Sequence, residues 1–571
     1  MYLRKNRSKG KTYWTLVETY RSERGPRQRI VSYLGDLDER TCLGVRSSAE
    51  GRPQFVQCAL FDEDIASDWQ EIDTGKVIVE RPRGFGDWWV GLCVLEKLGF
   101  VDLLQELIPL GREKVPWWSM VITSILCRLC EPSSELRIAE ALFERSPLPD
   151  ILGIPVDRVN DDRLYRTLDQ LLPHKEKIEQ HLRERLVSLF DLSYDLLLYD
   201  VTSTYFEGKC EKNPDAQRGH SRDHRSDCKQ VNIGLVVSRC GMPLGFEVFA
   251  GNRHDSQTVE HIVTTMEQRF GKADRVWVMD RGMVSQDNIA FLKKDDRRYI
   301  LGTPKAQLRS YERELTEKNW TSVRNGVEVK LCPTDDGAEV FILCRSADRA
   351  KKEQAMRTLF ENRIEAGLNH LADMCKIHNR SPIAVATQVG RLREKNSRAS
   401  ALFYVEVQTR EDSFASLTWT KRADRQDFAT LSEGCYMLRS NITDWTPDAL
   451  WEAYIQLTQA EAAFHIHKSD LELRPVWHQL TSRVEAHILV CFMAYVIWKT
   501  LAQLCKSAGL GDEPRLVLNE LRQIRTVDVV MQTKNGHKIR RRCVTQPDKE
   551  QAILLQKLKI QLPKQLKLTP M

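Results

Sequence analysis

Leu196-Leu197-Leu198-Tyr199-Asp200, with Val201-Thr202-Ser203-Thr204 behind it, is the stretch that decides the fold. An apolar run of this length reads as a buried strand, and an aspartate at its end emerges at the rim of a sheet. That rim is where open α/β sheets place their sites. Val276-Trp277-Val278-Met279-Asp280, followed by Arg281-Gly282, repeats the grammar of apolar strand, terminal aspartate and tight turn. Strand-like segments Val231 to Ser238 and Pro243 to Phe249 lie between the two, with a helical pattern over Thr258 to Phe270. The reading is a mixed sheet flanked by helices. If the two aspartate-bearing strands are neighbours, their carboxylates share one edge.

A third acid follows on a helix expected over Trp451 to Lys468, where Tyr454, Glu461 and Lys468 are spaced by seven. Seven residues fall about 20° short of two full turns, so these three share one stripe. Leu457, Phe464 and His465 lie near it. A face carrying Tyr, Glu and Lys beside apolar neighbours suits a cleft wall centred on an acid. Three carboxylates packed together would repel and raise one another's pKa unless cations intervene. Two divalent cations about 3.5–4 Å apart can hold the attacking and leaving oxygens of a phosphoryl transfer, and magnesium takes such oxygen ligands. Against this stand the bland readings of a strand-end aspartate as a turn residue and a helical glutamate as a solvated one.

The wider chain sets bounds. Its 571 residues suggest about three or four domains. Hydrophobic residues at 42% and charged residues at 29% are ordinary for a globular protein with ample core. A net charge of +6 says little, so a polyanionic partner must be argued from local clusters. No secretory h-region follows Met1. The longest apolar run, Ile488 to Trp498, is shorter than a span of ~20 residues and reads as a buried core helix, so no membrane is expected. The 15 cysteines show no paired framework, which fits reduced thiols in a cytoplasm. Cys127-Arg128-Leu129-Cys130 lacks two further zinc ligands nearby and reads as two packed helical cysteines.

Five segments are expected. Residues 1–80 form an N-terminal basic β-containing segment, with strand-like runs at Tyr13 to Val17 and Arg29 to Leu34. Arg4, Lys5, Arg7, Lys9, Lys11, Arg21, Arg24, Arg27 and Arg29 surround them as a solvated face or a duplex-contacting arm. Residues 81–190 are helical, with a capped start at Pro132 to Ala139, and either pack or read DNA. Residues 191–310 and 440–515 form the catalytic core, 311–439 a β-rich insertion, and 516–571 a basic C-terminal segment with Lys538, Arg540, Arg541 and Arg542.

Taken together, Asp200-Val201-Thr202, Asp280-Arg281-Gly282, Ser440-Asn441-Ile442-Thr443 and Tyr454 through Glu461 to Lys468 resemble bacterial insertion-sequence transposases of the DDE class with the Tyr-x2-Arg-x3-Glu-x6-Lys signature. The match spans roughly residues 190–500. The resemblance implies a ribonuclease-H-like core interrupted by an insertion. It also implies an Mg2+-dependent reaction, Mn2+ substituting, at the inverted-repeat ends of a mobile element. Water frees a 3′-hydroxyl, which then attacks target DNA. Asp200, Asp280 and Glu461 match the catalytic, metal-binding positions, and Tyr454 and Lys468 match positions that contact DNA near the cleaved end. Double-stranded DNA, both transposon ends and target, is the implied partner, a homodimer the implied synaptic form, and the bacterial nucleoid the implied location. Leu457 stands where the signature has arginine, with Arg281 or Lys468 expected to substitute.

Trp419, beside Lys421 and Arg422, has two readings: a residue stacking on a flipped base, or a tryptophan packed in the insertion's own core. Asp255 reads as structural. Arg474, His478, Arg483, Glu485 and His487 could support Glu461 or hold phosphate, and the histidines suggest no metal site because no carboxylate pattern on one face accompanies them. A haloacid-dehalogenase-type phosphatase would need a second acid at the position of Thr202. A transposase-derived protein that only binds DNA would be favoured by loss of an acid, and all three are present.

Overall fold

Three antiparallel strands open the chain: β1 (Tyr2–Ser8), β2 (Lys11–Ser22) and β3 (Gly25–Gly35). The computed structural model describes residues 2–8, 11–22, 25–35, 71–272, 274–411 and 413–567. The side chains of the N-terminal basic residues, Arg4 to Arg29, lie outside the described residues, so the duplex-arm reading is untouched. After β4 (Ile78–Gly84) come helices α1 (Gly86–Lys97), α2 (Trp117–Cys130), α3 (Asp161–Leu171) and α4 (Lys175–Phe190). The α2 helix is buried almost all round. Its hydroxyls stay satisfied in that position by bonding one turn back: Thr123 Oγ1 donates to Ser119 O at 2.9 Å and Ser124 Oγ to Met120 O at 3.1 Å. Cys127 and Cys130 are free thiols packed in the same core.

The central sheet has nine strands. β5 (Leu196–Tyr205) pairs antiparallel with β6 (Gln230–Ser238), which pairs antiparallel with β7 (Pro243–Ala250). On its other side β5 pairs parallel with β8 (Val276–Met279), and β8 parallel with β9 (Arg298–Gly302). Helices α5 (Val259–Phe270) and α6 (Gln286–Lys294) make the crossovers that parallel pairing requires. This order of three antiparallel strands followed by two parallel ones is the ribonuclease-H-like arrangement. Within β5 the side chains alternate faces. Leu197 and Tyr199 pack with Ile262, Met266 and Leu292 of the crossover helices. Leu196 and Leu198 pack on the opposite face, in the core that contains Ala460, Ala463 and Phe464. All four side chains are at most 1% exposed, each burial contributing about 1.5–3 kcal/mol before conformational entropy is counted. By that alternation Asp200 shares the face of Leu196 and Leu198.

The insertion divides in two. β10 (Thr321–Arg324), β11 (Val327–Pro333), β12 (Val340–Ser346) and the returning strand β15 (Cys435–Ser440) extend the central sheet beyond β9. Its outer part is a 31-residue helix α7 (Ala347–Ile377), a helix α8 (Pro382–Lys395) and a ribbon of β13 (Phe403–Thr409) with β14 (Ala415–Lys421), closed around their own apolar core. Glu339, buried at the root, accepts from Lys293 at 2.6 Å and from Arg439 at 2.6 and 2.7 Å, which fastens β12 and β15 to α6.

Three further helices return to the core: α9 (Pro447–Ile455), α10 (Thr458–His465) and α11 (Thr481–Ser507). The continuous helix expected over Trp451 to Lys468 is not formed. It breaks at Gln456 and Leu457, and a π-turn over Ile466–Asp470 follows α10. At the break Leu457 is only 7% exposed, and the backbone tightens there, with Ala460 N donating to Leu457 O at 2.9 Å. The apolar run Ile488 to Trp498 lies inside α11, a helix long and apolar enough to cross a membrane but 83% buried within the protein over its most apolar window. The basic C-terminal segment folds back: β16 (Arg525–Gln532), β17 (Lys538–Val544) and β18 (Gln565–Leu566) join β4 in a second sheet. There Arg542 is buried against Asp528, at 2.6 and 2.8 Å, and Asp150, so this part of the basic cluster serves the fold.

Candidate active site

Register places the first two acids. Tyr199 on β5 and Met279 on β8 are partners in a parallel pair, so the next residues, Asp200 and Asp280, stand side by side. Asp280 follows the end of β8, but β5 runs on to Tyr205, so Asp200 lies mid-strand and not at the strand end expected. Asp280 precedes a tight turn over Arg281–Met283, and Asp200 Oδ1 accepts from Val201 N at 2.8 Å. Glu461 comes from α10, which covers the face Asp200 points toward. All three line one open cavity of about 450 Å3. Gly302, at the end of β9, makes room for the next shell. A Cβ there would lie 2.6 Å from the Tyr454 hydroxyl, and its absence lets that hydroxyl donate to Asp280 Oδ1 at 3.3 Å.

Burial pushes the Asp200 carboxyl up to about 7; the negative charges of Asp280 and Glu461 add to the rise, while the Val201 amide and the Arg222 guanidinium offset part of it. Negative charge is thus concentrated without enough protein cation to balance it, and the donors are all carboxylate oxygens. That set fits hard divalent cations such as Mg2+. Among the described residues, the three acids are not a group whose ligand atoms all lie within 4.8 Å of one another.

The cavity's other wall is cationic. Arg222 donates to Asp255 Oδ2 at 2.5 Å, and its backbone N–H donates to Ser203 Oγ at 3.0 Å. Lys468 donates to Asp223 Oδ1 at 2.8 Å, and Arg474 binds the same oxygen. Burial pulls the Lys468 ammonium below its ordinary value while Asp223 acts to hold it up. Arg474 reaches the site because the returning chain pairs beyond the end of β5: Val476 N donates to Tyr205 O at 3.0 Å.

Of the residues the sequence singled out, Asp200, Asp280, Glu461 and Lys468 therefore meet. Tyr454 and Arg281 line a neighbouring groove of about 1030 Å3 that shares Asp280 and also carries Lys305, Arg324, Arg349 and Lys351. The single stripe of Tyr454, Glu461 and Lys468 is corrected by the helix break, since Tyr454 serves the groove and Lys468 the cavity. Leu457 lies in the core, and the cations around the acids are Arg222, Lys468 and Arg474, with Arg281 on the groove side. Asp255, read as structural, lines the cavity and anchors Arg222. Trp419 packs on Phe403 at 5.7 Å between ring centres in the insertion's own core and lines neither space. Arg222 and Asp223 were missed. Their signal was a connection over 206–229 between antiparallel strands, far longer than a hairpin needs and dense in charge.

Residues 191–497, more than half of the chain, match the family of the transposase DDE domain. The chain belongs to the DDE transposases. Residues 3–50 match the N-terminal domain of the IS1634 family of transposases, which makes it an insertion-sequence member. No curated protein matches the chain. One solved structure similar to this transposase is described as the cryo-EM structure of the piggyBac transposase synaptic complex with hairpin DNA. The similarity covers 80% of this chain and 82% of that one, at 9% identity and a TM-score of 0.35, too low to add to what the sheet order itself establishes.

Proposed function

We propose that this transposase cleaves DNA at the terminal inverted repeats of an insertion sequence and joins the freed 3′-hydroxyl ends to target DNA, with Asp200, Asp280 and Glu461 as the catalytic, metal-holding acids. The observation that carries the proposal is the cavity in which those three carboxylates face Arg222, Lys468 and Arg474. When bound, two Mg2+ ions, or Mn2+ in their place, would supply charge neutralisation at the attacked phosphate and a more acidic water. The protein's own groups do the rest. Arg222, Lys468 and Arg474 bind and orient backbone phosphates, while Asp255 pairs with Arg222 and a single Asp223 oxygen pairs with both Lys468 and Arg474, which keeps those cations aimed at the cavity. Tyr454 fixes the rotamer of Asp280 by donating to it, and its ring walls the groove. Arg281, Arg324 and Lys351 give that groove the positive lining a DNA strand leading to the acids requires. Two ends must be held at once, so a homodimer on double-stranded DNA is the assembly in which the reaction runs.

Strand cleavage tests this on a duplex ending in the inverted repeat that flanks the coding region, with Mg2+ supplied. The wild type should nick at the repeat end, and Asp200→Ala, Asp280→Ala and Glu461→Ala should each bind the duplex without cutting it. Cutting that persists in any of the three variants refutes the assignment, and binding without cleavage by the wild type would leave a DNA-binding protein only.

A further inference from the structure

The histidines that the sequence separated from any metal chemistry acquire a carboxylate partner in the fold. Glu135 begins a short helix, held there by Ser134, whose Oγ accepts from Arg137 N at 3.3 Å. Its Oε1 lies 3.3 Å from His478 Nε2 and 3.8 Å from His487 Nδ1. Among the described residues, this is the one set of three His, Cys, Asp or Glu donors whose ligand atoms all fall within 4.8 Å. The three side chains are nine-tenths or more buried: Glu135 is 8% exposed, and His478 and His487 are each 6% exposed.

Donor convergence argues for a shared cation. His487 Nε2 lies 3.3 Å from the Leu473 carbonyl and 4.0 Å from Cys491 Sγ, which leaves Nδ1 as the nitrogen that faces Glu135. His478 Nε2 is buried and satisfies no hydrogen-bond geometry. Two imidazole nitrogens thus converge on one buried carboxylate oxygen. Tetrahedral zinc with bonds of about 2.0–2.1 Å separates its ligands by roughly 3.3–3.4 Å, close to the separations seen. The Leu473 carbonyl is the kind of partner that fixes the tautomer of a metal-binding histidine. The neighbouring Arg128 guanidinium does not fill the site, because it is spent on the carbonyls of Leu471, Glu472 and Ser133.

We propose that Glu135, His478 and His487 form a structural site for a zinc-class cation, separate from the acidic cavity. Two nitrogen donors select against Mg2+, so the two sites would sort different metals. Glu135 belongs to the helical region, His478 to the strap that carries Arg474, and His487 to α11. A cation there would pin the strap at its far end, and with it the phosphate-facing Arg474. Tyr165 of α3 packs edge-on against the cluster, its ring 5.8 Å from that of His478.

Metal analysis of the full-length protein after zinc loading and removal of free metal tests the site. About one zinc per chain is expected. Asp200→Asn/Glu461→Gln should retain it, and His478→Gln/His487→Gln should lose it. Because the histidine variant could fail to fold, Co2+ loading of the wild type gives a second reading, expected to show the visible absorption of a tetrahedral nitrogen and oxygen site. Wild type that retains less than about a tenth of an ion per chain, or a histidine variant that keeps its zinc, overturns the proposal. In the first case the cluster is an ion pair of Glu135 with a protonated histidine only.

Discussion

Replacing Asp200 by asparagine should stabilise the metal-free protein at neutral pH, although it removes one of the acids proposed to be catalytic. The carboxyl rises from an ordinary 3.8 to about 7 on folding, chiefly by burial. At ~1.4 kcal/mol per tenfold change in proton affinity, that corresponds to a ceiling of about 4 kcal/mol. The cavity is open, so water and dissolved ions reach the carboxylate, and about 1–2 kcal/mol should survive that screening. The sign follows from proton uptake. The folded chain binds the proton more tightly than the unfolded one, so the stability is fully present below pH 3.8, declines as pH rises toward 7, and is level above it. The amide of the Asp200→Asn variant cannot titrate and lacks this decline. Thermal melting with a chelator present, followed from about pH 4 to pH 8, should show the wild type losing ground to Asp200→Asn across that window. On the proposed function Mg2+ would bind the ionised site, so adding it at pH 8 should raise the wild-type melting temperature and leave the variant unmoved. Parallel pH curves, or an Asp200→Asn protein that melts lower at pH 8 in chelator, would refute the electrostatic account of the site.

Two further perturbations separate the cations' roles. Leu457→Arg restores the signature residue by letter but places a guanidinium where the side chain is 7% exposed. It should cost roughly 2–4 kcal/mol in a denaturant titration and add no affinity for the transposon end; wild-type stability with tighter end binding would show that the position still faces DNA. Asp223→Ala strands Lys468 and Arg474 beside one another with their shared acid gone. Since the Asp223 side chain is 2% exposed, the expected loss is about 3–5 kcal/mol in the same titration, with cleavage lost as well. A loss below about 1 kcal/mol would mean that solvent already screens the pair.

The acids were legible in the sequence because each is announced by its own neighbours. Alternation along Leu196 to Tyr199 fixes the face of Asp200, and the parallel register with Met279 then brings Asp280 beside it. What local pattern cannot carry is the identity of a distant partner. Lys468 meets Asp223 across 245 residues of chain, and Glu135 meets two histidines that no spacing rule connects to it. The break at Leu457 was hidden for a related reason. No proline or glycine marks it, and a seven-residue spacing continues smoothly through it. The break falls at a side chain buried in the core, a property of the assembled fold that the spacing does not record.

That division between local and long-range has a functional consequence. Asp200, Asp280 and Glu461 sit on or directly against regular elements, whose backbone hydrogen bonds hold them to a fixed geometry, as metal coordination demands. Arg222 and Arg474 sit on irregular connections, and their positions depend on single counter-acids, Asp255 and Asp223. Phosphate entering the cavity competes with those same acids for the guanidinium groups. On the proposed function, each arginine would follow the DNA backbone between cleavage and joining while the acids hold their place. Leu457, in the turn before the acid-bearing helix, lies in the core, so on the proposed function phosphate binding falls to these loops.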